Sequence, residues 1–560
     1  FEDIPQLSCL VEYDQLLCCA GEFGLYQVFL FFLTLPFYFF GVFVYFSQLF
    51  LTETPANHWC WIPELANLTA VERRNLGIPK DNSRFGYSRC QTYVANWTEV
   101  LTTGMKPDIT CEVASCNHGW EYNVTEIPYS TISSELNWVC DRASYQATAQ
   151  SFFFVGSIIG GFLVGWIADR FGRLPAAVFS NLIACVAGTA TIFSNNFLQF
   201  TICRLFMGIS HDNCMMMAYL LVLEYIAPRY RTLITNLTFA IFFTAAATLL
   251  PFIALASGHW KTIALVTSLP MALSLLAPLI MPESPRWLLS KGRVEDAISK
   301  VLTIAKVNKK EIPPKMIDRF RAGALNTKNE SGSIIEMLKR PLLRRVFICI
   351  SVEFVCCMIV YDSLIRTIGQ LQFDFFLSFA LTSLTEFPSL VLLSLILDYT
   401  GRKCMMCVSM FVCGVFSFLV PVAGPGMSSV ICAVIARFFI NMAWNTAVQW
   451  AAELLPTSVR GTGTSVTHIC GFVGTIVAPF VAYLETYQYW LPMVVIGSVS
   501  IVASTAMRLP ETARREMPQT FEAAEELFRN QGFLDMPCLR RKTVSDNEPT
   551  GHMNQTFEMN

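Results

Sequence analysis

The nine residues Gly165-Trp-Ile-Ala-Asp169-Arg170-Phe-Gly172-Arg173 constrain this chain more than any other stretch. They lie between two long apolar runs, at about 147–167 and 174–194. A turn so short, charged and glycine-punctuated joins two antiparallel membrane helices at one face of a bilayer. Gly172 can take a positive φ where the chain reverses. Asp169 and the two arginines can pair with one another and with helix ends, whose dipoles favour such charges. Arg170 and Arg173 mark this face as cytoplasmic.

The same signal returns as Asp398-Tyr-Thr-Gly401-Arg402-Lys403, again between apolar runs. Asp169 and Asp398, Glu224 and Glu453, and Arg231 and Arg460 share one offset of 229 residues, and Glu283 and Glu511 an offset of 228. Markers in one order at one spacing indicate two parallel copies of a membrane unit.

Hydrophobic residues make up 53% of the 560 and charged residues only 15%, too apolar for a soluble globular protein of this length. The net charge of −2 carries no basic footprint for nucleic acid. There is no P-loop, no metal-ligand spacing and no nucleophile elbow, so no enzyme chemistry, cofactor or metal is expected.

Taken in order, 1–23 is a polar N-terminus, read as cytoplasmic, with no basic n-region and so no cleavable signal peptide expected. Helix 1 spans 24–51, with Pro36 expected to kink it. A polar insert, 52–145, follows. Further spans fall at about 147–167, 175–195, 199–224, 232–256 and 261–281, completing a first half of 24–281. A central loop, 282–345, holds roughly fifteen Lys and Arg. The second half, 346–507, has spans at about 346–367, 373–397, 404–423, 427–452, 461–484 and 487–507, before a polar tail, 508–560. That is an all-α membrane protein of twelve helices with both termini inside; the short outer loops carry almost no Lys or Arg, whereas the inner loops carry Arg170, Arg173, Arg229, Arg231, the central cluster, Arg402, Lys403 and Arg460.

The insert reads as extracellular. It holds sequons at Asn67, Asn96 and Asn123, expected to be glycosylated. It also holds Cys60, Cys90, Cys111, Cys116 and Cys140, expected to form disulfides in an oxidising exterior. Five is odd, so at least one thiol is left over or pairs elsewhere.

The chain resembles the major facilitator superfamily and, within it, the organic cation/anion/carnitine transporters of solute carrier family 22. The motifs are Gly21-Glu-Phe-Gly-Leu-Tyr-Gln27 before helix 1, Glu135-Leu-Asn-Trp-Val-Cys140-Asp141 before helix 2, and Gly165 to Arg173. Pro282-Glu-Ser-Pro-Arg-Trp-Leu288 follows helix 6, Glu453 to Arg460 follows helix 10, and Leu509-Pro-Glu-Thr512 follows helix 12. Leu174 and Ser394 depart from the family's loop pattern, and five insert cysteines stand where relatives often have six. The resemblance implies a major facilitator fold and transport by alternating access. It also implies roles for three positions. Glu386 in Thr-Glu-Phe-Pro388 matches a cavity acid, Tyr361 matches an aromatic lining the path, and Phe472 stands where relatives carry a selectivity-tracking charge.

An ionisable group at bilayer depth costs at least about 2.5–3.5 kcal/mol and so faces a cavity or a partner. Asp212, Glu353, Glu386 and Arg437 fall near the middle of their helices, and Asp362 and Arg366, four apart, are expected to pair. Three acids against one arginine favour a cationic or zwitterionic ligand, with internal helix–helix pairing as the bland alternative. Trp444, Phe438, Phe472 and Tyr361 are candidates to box an ammonium group. His211 and His468 are candidate proton relays against the plainer role of hydrogen-bonded interior histidines. Asp169, Arg170, Arg173, Glu224, Arg231, Asp398, Arg402, Glu453 and Arg460 lie at the inner helix ends, where ion pairs can latch the halves in one state and release them in the other. The expected protein is a plasma-membrane carrier of small organic cations or zwitterions such as amines, carnitine-like or amino-acid-derived compounds, with Na⁺ or H⁺ as possible coupling ions. An organic anion exchanger and a non-transporting receptor on the same scaffold are the rivals.

Overall fold

The computed structural model describes residues 13–529 apart from 82–84, 105, 109, 325–333, 372, 425, 457–458, 506–508, 514–517 and 519. Among the described residues, eleven helices are long and apolar enough to cross a membrane. They are helix 1 (Leu25–Thr52), 2 (Cys140–Phe171), 3 (Arg173–Phe193), 4 (Phe197–Leu223), 5 (Phe239–Ser257), 6 (Trp260–Ile280), 7 (Pro341–Arg366), 8 (Phe375–Thr400), 9 (Arg402–Val422), 10 (Met427–Leu454) and 11 (Arg460–Thr486). A shorter apolar helix, Leu491–Ala503, stands as helix 12. Large apolar side chains such as Phe162, Leu279 and Val422 point outward, as a surface against lipid tails requires.

Helix 1 is interrupted at Thr34, just before Pro36, whose missing N–H and ring break the ladder there. Helix 4 is interrupted at His211 and Asp212, where Asp212 takes φ +63° and its carbonyl accepts the N–H groups of Met215 and Met216 to restart the helix. The polar tail lies largely outside the described residues.

The two halves repeat one set of partners at the basic end. Gly172 (φ +115°) and Gly401 (φ +82°) turn the chain, and helices 3 and 9 begin at the next residue. The exposed N–H groups of those helix starts are taken up by carboxylates. Glu283 accepts from Arg173 (2.9 Å) and Leu174 (3.2 Å), and Glu511 accepts from Arg402 (3.0 Å) and Lys403 (3.0 Å). Arg173 pairs with Asp169 (2.9 Å) and reaches Glu224 (3.8 Å). Arg402 likewise pairs with Asp398 (2.9 Å) and Glu453 (2.8 Å). Ser284 donates to Glu224 and Thr512 to Glu453. Burial pushes the Glu224 carboxyl above the usual carboxylate range, with Ser284 and Arg173 pulling it back. Arg170 lies over the rings of Trp166 and Phe171, and Arg460 donates to the Leu455 carbonyl (3.2 Å). Arg231 binds Asp14 (2.7 Å), which Arg286 also holds (2.5 Å). Asp14 belongs to a helix, Tyr13–Gly21, that packs under the first half. The ion pairs described at this end therefore tie residues within one half.

At the other end the halves are joined to each other. Tyr45 of helix 1 donates to Asp362 of helix 7, and Asp362 holds Arg366 at 2.7 Å. Arg366 donates to Gln150 of helix 2, and Gln150 to Thr52 of helix 1 (2.8 Å). Ser151 donates to the Ile476 carbonyl of helix 11 (2.8 Å). Phe46 and Phe50 pack on Phe375, Phe376 and Phe379 of helix 8. All of Tyr45, Gln150, Asp362 and Arg366 are buried. The expected pairing of Asp362 with Arg366 is thus seen, as part of a seal.

The insert covers that seal. Two short antiparallel pairs, His58–Cys60 with Trp120–Tyr122 and Gln91–Tyr93 with Val113–Ser115, are stapled by Cys60–Cys116 and Cys90–Cys140. Cys111, counted among the disulfide cysteines, is a free thiol. Parity leaves one of five over, and the two bridges that close take the other four. Asn67 and Asn96 are exposed, and Asn123 is half-buried with its Oδ1 accepting from the Thr125 N–H (3.1 Å).

Candidate functional site

Asp212 is held at the break in helix 4. It is half-buried, and none of the described residues forms an ion pair or side-chain hydrogen bond with it. Positive φ at a residue other than glycine is uncommon and tends to persist where surroundings enforce it, often at functional positions. Beside it, the buried His211 ring is packed by Tyr45 (4.9 Å between centroids), Phe153 (5.1 Å) and, from the second half, Phe472 (5.8 Å). Its Nδ1 lies 2.9 Å from the Ser157 hydroxyl. That is the setting of a hydrogen-bonded interior histidine.

In the second half, Glu386 and Arg437 face each other. Arg437 lies 3.2 Å from Glu386, donates to the Tyr361 carbonyl (2.8 Å), and stacks on the Tyr361 ring with its guanidinium carbon 3.7 Å from the centroid. Tyr361 donates its hydroxyl to Glu386 (2.7 Å). Asn441, with its amide nitrogen turned towards Glu386, donates to it at 3.1 Å and accepts from Thr385. Helix spacing explains the grouping: Arg437, Asn441 and Trp444 recur at i, i+4 and i+7 on one face of helix 10. Trp444 meets Tyr361 (6.4 Å), Phe354 (5.3 Å) and His468 (5.7 Å). Glu386 and Arg437 therefore neutralise each other within a ring of aromatics, while Asp212 has no such partner among the described residues.

Two of the expected ligand residues are placed elsewhere. Phe438 is one residue past Arg437 and so about 100° around helix 10. It packs with Phe439 against Leu393, Leu397 and Met405, away from the aromatic ring around Trp444. Glu353 is one residue before Phe354 and so about 100° around helix 7 from the aromatic face. Tyr45, Gln150, Glu283 and Glu511 were missed as working residues. The last two carried a signal, since their offset of 228 lies within one residue of that of the turns they cap.

The sugar (and other) transporter family profile matches residues 109–528. The carcinine transporter of Drosophila melanogaster is 31% identical over 99% of this chain and 85% of its own. The chain belongs to solute carrier family 22. Its other curated relatives include the beta-alanine transporter of Drosophila melanogaster, 29% identical over 92% of this chain and 89% of its own. The human organic cation/carnitine transporter 2 is 29% identical over 91% of this chain and 93% of its own. Among solved structures, the xylose transporter of E. coli in an inward-open conformation superposes with a TM-score of 0.57. It covers 89% of this chain and 99% of its own at 15% identity. This solute carrier family 22 member therefore has the major facilitator fold, and the relatives it matches are membrane transporters.

Proposed function

We propose that this protein is a plasma-membrane secondary transporter that moves small organic cations or zwitterions by alternating access, with its basic end and both termini in the cytoplasm. One observation carries the reading: of the acids at ligand depth, Glu386 is answered by Arg437, whereas Asp212 is half-buried and has no such partner among the described residues. An ammonium group would complete it, and the rings of Trp444 and Phe472 offer faces that attract such a cation, the Tyr361 ring being covered on one face by Arg437. The names of the relatives, which carry carcinine, beta-alanine and organic cations or carnitine, support the same class. The arginine that an anion exchanger would use is bound to Glu386.

The mechanism follows from the two ends. Ion pairs at the basic end close within each half, so nothing among those pairs opposes separation of the halves there. The polar seal under the insert joins the halves at the opposite end. This is the arrangement of a carrier closed to the outside, and the reverse state requires the seal to break and new pairs to form across the basic end. Na⁺-containing and Na⁺-free uptake of a radiolabelled monoamine, carnitine, β-alanine, carcinine and an aromatic organic anion in expressing cells tests the reading. Uptake of amines or zwitterions without the anion is expected. Uptake of the anion alone would reverse the charge assignment, and ligand binding with no flux of any compound would favour a receptor.

A further inference from the structure

Glu353 lies midway along helix 7 and is 2% exposed. Its Oε1 meets no hydrogen-bond partner among the described residues. A carboxylate left bare at that depth costs far more than one that keeps its proton, so the position favours the neutral acid. The titratable groups that a charge on Glu353 would act on are thiols, Cys356 and Cys357 on its own helix and Cys407 on helix 9. Lys403 lies one turn from Cys407 towards the basic end, and its backbone N–H is bound by Glu511. Helix 12 brings no charged residue to the bundle. The neighbouring face of helix 7 carries Phe354, packed on His468 and Trp444, and Arg437 is engaged with Glu386 nearer the insert. Among the described residues no ion pair holds Glu353.

Helix 7 carries three things at once. Phe354 and Tyr361 belong to the aromatic ring of the candidate site, Asp362 and Arg366 to the outer seal, and Glu353 lies among them. Losing the Glu353 proton to water leaves a carboxylate that this dry position cannot hold, so the helix must move until water reaches it. Regaining a proton from water restores the packed arrangement.

We propose that Glu353 is a proton-binding site, distinct from the ligand site, that couples the transport cycle to proton movement across the membrane. The inference rests on the transporter reading and adds the coupled ion. The test uses the purified full chain in proteoliposomes, with radiolabelled carcinine as probe and internal pH varied at fixed external pH. Counterflow of the probe without a gradient shows first that the carrier works. A one-unit proton gradient should then change the steady-state accumulation by about tenfold for one proton coupled per cycle. Glu353→Gln should keep counterflow and lose the gradient response, and Glu353→Asp should restore it. A Glu353→Gln protein that still responds, or a wild-type protein that exchanges the probe yet ignores the gradient, overturns the proposal while leaving the transporter reading intact. Absence of counterflow across the whole amine panel would instead overturn the transporter reading, and this proposal with it.

Discussion

Replacing Tyr45 by phenylalanine removes one hydroxyl from the seal beneath the insert and leaves the ring in place. That hydroxyl donates from helix 1 to the Asp362 carboxylate of helix 7, so it spans the two halves. Asp362 keeps Arg366 at 2.7 Å in the variant, so no charge is stranded and the fold should be nearly undisturbed. A hydrogen bond to a charged group is worth about 1.5–3 kcal/mol. In the proposed alternating-access cycle the bond is made only while the outer end is closed, so its loss should shift the balance towards the outward-open state by that amount. At about 1.4 kcal/mol per tenfold, the outward-open fraction rises roughly 10- to 100-fold. Phe379, buried against Phe46 and Phe50, offers a reporter. The rate at which a membrane-impermeant thiol reagent modifies Phe379→Cys from outside, with and without Tyr45→Phe, measures that fraction. Equal rates in the two backgrounds, at equal surface expression, would mean that the seal does not set the conformational balance.

Asp212→Asn should cut the uptake efficiency of cationic substrates at least tenfold at unchanged surface expression. A desolvated ion contact at an effective dielectric of 20 is worth about 4 kcal/mol, and a third of that suffices. Uptake equal to wild type would remove Asp212 from the site. Glu53, at the outer end of helix 1, is pushed up to about 8 by burial and by Glu485, with Arg366 opposing and Glu126 adding. An acid raised in the closed state stabilises that state at low pH and loses the contribution as pH rises towards 8. External alkalinisation should therefore speed the Phe379→Cys labelling, and Glu53→Gln should flatten the profile; a pH response that survives in Glu53→Gln would assign it to another group. Cys60→Ser or Cys90→Ser opens a covalent loop of 56 or 50 residues and should cost about 4 kcal/mol and surface expression, whereas Cys111→Ser should change neither. Loss of surface expression in Cys111→Ser would show that this thiol pairs in the mature protein.

The spans, the duplicated turn and the presence of a left-over insert cysteine, though not its identity as Cys111, were legible because each rests on a local or countable property: run length, a spacing repeated twice, and parity. The acid and arginine clusters at the basic end were legible for the same reason, since their spacing recurs. The seal was not. Tyr45, Gln150, Asp362 and Arg366 come from three helices distant in the chain, and nothing in their local sequence ties helix 1 to helix 7. The candidate site was half legible. Arg437, Asn441 and Trp444 announce a face by helical spacing, but Phe438 and Glu353 sit one residue off the productive faces of helices 10 and 7. An uncertainty of one residue turns a side chain by about 100° and sends it to another neighbour.

The carboxylate caps have a consequence for how the protein could be handled. Glu283 and Glu511 each follow the last helix of a half and return to grip the start of that half's third helix. Each half thus ends by fastening its own exit to its own interior, like a belt passed through its own buckle. A chain divided between Ala324 and Ile334 would therefore yield two fragments, each carrying its complete fastening. Co-expressed, they should find one another through the insert-side contacts and work as a two-piece carrier.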